Sequence, residues 1–108
     1  MNALSEEPPA MDAELSDAIG PYFSRGHSPY PRVDRRAAGA TARKRTPEVL
    51  VREIESLVAE MNSIPVDWTE VGYERGCRYV IDSMARRHPE LTGAAMKTLG
   101  WNFSYVNR

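Results

Sequence analysis

Thr46-Pro47-Glu48-Val49-Leu50-Val51-Arg52-Glu53-Ile54-Glu55-Ser56-Leu57-Val58-Ala59-Glu60-Met61-Asn62-Ser63 decides the fold class. Thr46 offers a hydroxyl to the free amides of a first helical turn. Pro47 suits the first helical position, where its missing N–H would be unpaired anyway. Leu50, Ile54, Leu57, Val58 and Met61 then fall on one face, and Glu48, Arg52, Glu53, Glu55 and Glu60 mostly fall elsewhere. This is the 3.6-residue period of an amphipathic helix. Glu48 and Arg52 form an i,i+4 pair in the favourable order.

A second helix follows. Asp67-Trp68-Thr69-Glu70 has the spacing of a capping box, and Val66 and Val71 sit where a hydrophobic staple would place them. Tyr73, Cys77, Val80 and Met84 form its core stripe, with Ile81 beside it. Gly72 and Gly76 share a flank and predict a close crossing with the first helix. Pro89 ends the helix near Arg87, because a residue before proline disfavours helical geometry. A third, short helix is expected within Pro89–Leu99, closed by Gly100 in the left-handed conformation. The tail Trp101-Asn102-Phe103-Ser104-Tyr105-Val106 alternates aromatic and polar residues. It reads as a strand or as an irregular segment folding back on the helices.

Before Thr46 the pattern weakens. Met11, Leu15, Ala18, Ile19 and Tyr22 share one helical face, with Gly20-Pro21 as a stop signal. An isolated helix of that length is marginal in water and needs a surface to fold on. Pro21, Pro29 and Pro31 fall in the next stretch with Gly26 and Gly39. Its few aliphatics predict a disordered or extended segment. The expected fold class is therefore mostly α. A small domain of about three helices (46–108) carries an aromatic tail and follows a largely disordered N-terminal arm. That arm divides into an acidic head (1–20), with a conditional helix, and a basic connector (21–45).

The chain has 108 residues, with 42% hydrophobic and 27% charged side chains, enough for one small domain. Net charge is −1, but it is unevenly spread. The head carries Glu6, Glu7, Asp12, Glu14 and Asp17 and no base. The connector carries Arg25, Arg32, Arg35, Arg36, Arg43, Lys44 and Arg45 against Asp34 alone. Apolar runs are too short to span a bilayer, and no secretory signal is read before Arg25. The one cysteine, Cys77, excludes an internal disulfide and a cysteine-rich zinc site, and favours a reducing, cytoplasmic setting.

No catalytic, cofactor-binding or metal-binding residue is read from the sequence. Cys77 and His88 share a helical face but lie roughly 16 Å apart along the axis, too far for a nucleophile–base pair. His27, Cys77 and His88 have no metal-ligand spacing. Neither glycine-rich phosphate signature occurs, so no small-molecule substrate is evident. Gly72-Tyr73-Glu74-Arg75-Gly76 has the form of a membrane dimerisation motif, but Glu74 and Arg75 forbid insertion. Ala94-Ala95-Met96-Lys97-Thr98-Leu99-Gly100 resembles the start of a helix-turn-helix segment of the Fis type. One extra residue precedes its glycine, and only Arg108 supplies a base where a groove-reading helix needs several.

Two functional expectations remain. The first is a non-enzymatic interaction protein (adaptor, inhibitor or accessory subunit) that binds a protein partner or itself. Its anchors would be Met11, Leu15 and Ile19 on the arm, and Trp68, Tyr79, Trp101, Phe103 and Tyr105 on the body. The alternative is a small nucleic-acid-binding regulator that neutralises phosphates with Arg32, Arg35, Arg36, Arg43, Lys44 and Arg45.

Overall fold

The helix that opens with Thr46 and Pro47 is the middle of the molecule. In the computed structural model, which describes residues 10–108, six helices follow in order: α1 (Ala13–Tyr22), α2 (Arg35–Gly39), α3 (Pro47–Ser63), α4 (Trp68–Val71), α5 (Tyr73–Arg87) and α6 (Gly93–Val106). The Thr46 side chain accepts the Val49 amide at 3.2 Å. Leu50, Ile54, Leu57 and Met61 are buried, as the apolar stripe predicts. The mostly helical reading holds, and no strand forms among the described residues.

The second helix of the sequence reading is broken. Asp67 caps it through the Glu70 amide at 3.1 Å, but Gly72 adopts φ 82° and splits it into α4 and α5. A side chain there would be strained, so Gly72 makes the bend that turns Trp68 back over α5. Gly76 then serves that approach and not a crossing with α3. A Cβ at Gly76 would lie 2.6 Å from the Trp68 ring and 3.0 Å from Val66.

The tail is also helical. α6 runs through Gly100, which lies buried in mid-helix instead of closing it. Ile81 is the reason, because a Cβ at Gly100 would meet its Cδ1 at 2.8 Å. That glycine admits α5 rather than ending a helix, and no turn stands where the helix-turn-helix resemblance places one. Phe103 is buried and stacks on Trp68 with centroids 6.2 Å apart.

The arm differs most from its sequence reading. α1 packs against α2, α3 and α6, and Leu15, Ala18, Ile19, Tyr22, Phe23 and Ala38 join the core. Its helix needs no external surface. The loop after α1 is tied back on itself. Asp34 N–H donates to the Tyr22 carbonyl at 2.7 Å, Arg32 N–H to the Phe23 carbonyl at 3.1 Å, and the Ser24 hydroxyl to the Arg32 carbonyl at 2.7 Å. Ser24 takes a left-handed φ of 60° to do so, a geometry that costs about 1–2 kcal/mol and is held by those bonds. Among the described acids of the head, Asp12 and Glu14 are spent on this packing; Glu6 and Glu7 lie outside the described residues.

Glu14 is the buried tie. Its carboxylate accepts the Arg43 amide, the Lys44 amide at 2.8 Å and the Arg45 amide at 3.3 Å. The Arg45 guanidinium reaches Glu14 at 2.9 Å, Asp12 at 2.5 Å and Glu53 of α3 at 2.5 Å. The Arg43 amide foremost, with the Arg45 guanidinium and the next two amides, holds the Glu14 carboxyl down to about 2, against burial. Asp12 is lowered too, chiefly by its bond to Arg45. Both carboxyls are therefore more acidic folded than unfolded. Their contribution is complete above the ordinary carboxylate range and is lost as pH falls through it towards about 2. Thermal melts between neutral pH and about pH 2 should show Tm dropping across that window, and less steeply in Glu14→Gln. Equal acid sensitivity of both chains would remove Glu14 from this role.

Candidate functional site

Burial sorts the sequence candidates. Leu15, Ile19 and Phe103 are core residues and present nothing to a partner. Trp68 is half-buried between Phe103 and Tyr73. Trp101 lies under the Arg25 guanidinium, 4.7 Å from its ring centroid. Tyr105 stacks on Tyr30 with centroids 6.0 Å apart, and Arg108 lies 4.0 Å over it. Met11 (54% exposed) and Tyr79 (52%) are the two candidates that stand open to solvent. The eight residues do not assemble into one face.

The connector bases divide as well. Arg45 is committed to three carboxylates. Arg35 pairs with Glu55 at 2.5 Å, and Tyr22 donates its hydroxyl to the same carboxylate at 2.9 Å. Burial and that neighbouring carboxylate push the Tyr22 phenol up to about 12. Arg32, Arg36, Arg43 and Lys44 remain exposed and outside every ion pair among the described residues.

Arg35 and Arg36 instead belong to a feature that sequence periodicity did not show. α2 lies against the N-terminal half of α3, and a trough of about 620 Å³ opens between them. Gly39, Ala40, Pro47 and Val51 supply small, apolar surface; Arg35 and Arg36 on one side and Glu48, Arg52 and Glu55 on the other supply the rim. Two contacts shape it. Gly39 is buried against Pro47, where a Cβ would stand 3.1 Å from the proline ring, so α2 can lie close to α3. The Arg35–Glu55 pair then bridges the two helices. Arg36 and Arg52 are exposed and in no ion pair among the described residues. The signal available in the sequence was Asp34, which caps α2 through the Ala37 amide at 3.0 Å and precedes two arginines and two alanines.

The polar groups that could do chemistry are occupied or scattered. Cys77 is buried in α5. His88 caps the end of α5 with Nε2 2.7 Å from Glu60 and Nδ1 3.1 Å from Glu90, a tie between α3 and α5. Its bond to His88 is the main cause that lowers Glu60. Among the described residues no group of three His, Cys, Asp or Glu side chains could hold a metal ion, and no helix is long and apolar enough to cross a membrane. Comparison with protein-family models, curated proteins and solved structures finds no match to this chain.

Proposed function

We propose that the chain is a non-enzymatic interaction protein whose α2–α3 trough receives a segment of a protein partner. The observation that carries the reading is an open apolar trough whose rim carries two cations, Arg36 and Arg52, in no ion pair among the described residues. The floor of Gly39, Ala40, Pro47 and Val51 holds no large side chain, so a bulky apolar residue of the partner would fill it. Burying such a side chain is worth about 1.5–3 kcal/mol. Arg36 and Arg52 favour carboxylates on either side of that residue. Arginine is among the side chains that most often dominate interface energetics, and its aliphatic stem covers apolar surface while the head meets an acid. The partner segment is therefore acidic with one apolar anchor. The rim is partly acidic through Glu48 and Glu55, but Glu55 is already held by Arg35 and Tyr22.

Native capture with the tagged full chain, after nuclease treatment, tests this. The wild-type chain retains a stoichiometric protein partner, and Arg36→Glu/Arg52→Glu loses it. Both side chains are exposed, so the double variant keeps its melting behaviour to within about 0.5 kcal/mol per site. A partner held equally by the variant, or a capture that nuclease empties, overturns the reading.

A further inference from the structure

We infer that a second surface, formed by α6 and the loop 23–33, binds single-stranded nucleic acid. It begins with charge. Gly93–Arg108 contains no Asp or Glu, and neither does Phe23–Val33. Lys97, Trp101, Ser104, Tyr105 and Arg108 recur at i, i+4, i+7, i+8 and i+11, so they lie along one face of α6. The loop lies beside that face, with Arg25 over Trp101 and Tyr30 against Tyr105. From the other side α5 brings Arg78 into one groove with Lys97 and Ser104. Arg25, Arg32, Arg78, Lys97 and Arg108 are exposed, and none has an ion-pair partner among the described residues. Acids border this surface. Glu74 shares the groove with Arg78, and Asp17 and Asp34 line the cleft behind the loop.

The aromatic residues decide between polyanions. Tyr30 stacks on Tyr105, Arg108 lies over the same Tyr105 ring, and Tyr30 is 48% exposed. An unpaired base can stack on the exposed Tyr30 ring, and base–aromatic stacking contributes about 1–3 kcal/mol per base. Arg25 and Arg108, held over their rings, present planar donors to phosphate without first losing side-chain freedom. Bases within a duplex are already stacked and offer no free face, and the loop lying over Trp101 and Tyr105 keeps that face of α6 out of a groove. The fit is to a single strand with its backbone along the cations and one base on Tyr30. This surface shares only Arg32 with the phosphate-neutralising set of the sequence reading, whose Arg35 and Arg45 are spent on internal pairs.

Fluorescence anisotropy of a labelled oligothymidylate of about 15 nucleotides, titrated with the full chain at about 50 mM salt, tests the inference. Binding is expected, and five cations predict a fall of about 100-fold in affinity by about 200 mM salt. Tyr30→Ala should weaken binding by about 5–100-fold, Lys97→Glu/Arg108→Glu should abolish it, and Arg36→Glu/Arg52→Glu should leave Tyr30→Ala its full effect. The trough and this surface therefore fail or stand separately. No anisotropy change up to about 10⁻⁴ M protein overturns the inference. So does undiminished binding by Lys97→Glu/Arg108→Glu, by Tyr30→Ala, or equally tight binding of polyglutamate of matched charge.

Discussion

A chain that starts at Thr46 is expected to lose cooperative unfolding altogether. The cut removes Leu15, Ala18, Ile19, Tyr22, Phe23 and Ala38 from the core. Leu15, Ile19, Tyr22 and Phe23 are the large ones, each worth about 1.5–3 kcal/mol when buried. Together they match the whole stability of an ordinary domain, about 5–15 kcal/mol. The cut also strands Glu53 and Glu55 on α3 without Arg45 and Arg35. It uncovers the faces of α3 and α6 on which α1 sits. Circular dichroism of the truncated chain should show reduced helix with a broad, featureless melt. A sharp transition near that of the full chain would mean that residues 46–108 are a domain by themselves.

Phe103→Ala should cost about 3–5 kcal/mol, the range for emptying a buried aromatic site. Phe103 is 3% exposed and stacks on Trp68, which in turn covers Gly76. Its removal therefore loosens α4, α5 and α6 together. Tyr79→Ala is the counterpart. Tyr79 stands out from α5 with half its surface in water, so its loss should change stability by less than about 0.5 kcal/mol. Urea titrations of the two variants separate these outcomes. Similar midpoints for both would contradict the placement of Phe103 in the core.

What was legible depended on how much each element relied on itself. α3 could be read almost completely, because its cap, its proline and its apolar stripe all act within eighteen consecutive residues. The end of α5 at Pro89 was equally local. Gly72, Gly76 and Gly100 were visible as glycines, but their roles depend on what approaches them. Two admit Trp68 and Ile81, and one turns the chain between α4 and α5. No sequence period encodes the identity of such a neighbour. The aromatic alternation of residues 101–106 suggested a strand because helix α6 buries Phe103 while presenting Trp101 and Tyr105 to Arg25 and Tyr30.

The arm shows the same limit from the side of charge. An acidic head beside a basic connector was plain in the composition. That Glu14 would pair with the backbone of Arg43–Arg45, and that Arg45 would gather Asp12, Glu14 and Glu53, was not. The contacts of Asp12 and Glu14 join residues about thirty positions apart. They turn a stretch too poor in aliphatics to fold alone into one held by hydrogen bonds to a buried carboxylate. The candidate trough depends on α2, which Asp34 caps and Arg35 fastens to Glu55. The arm is thereby spent on the fold, and the proposed binding surfaces are ones that the folded arm helps to build.

Native-state hydrogen exchange on the full chain tests that central point most directly. Amides at protected positions open with the free energy of the unit they belong to. If α1 is part of one cooperative core, the amides of Ile19 and Tyr22 exchange as slowly as those of Ile54 and Leu57, and all four shift together in low denaturant. If Ile19 and Tyr22 exchange freely while α3 stays protected, α1 is a detachable helix. The arm, and not the α2–α3 trough, would then be the surface to test for the proposed interaction.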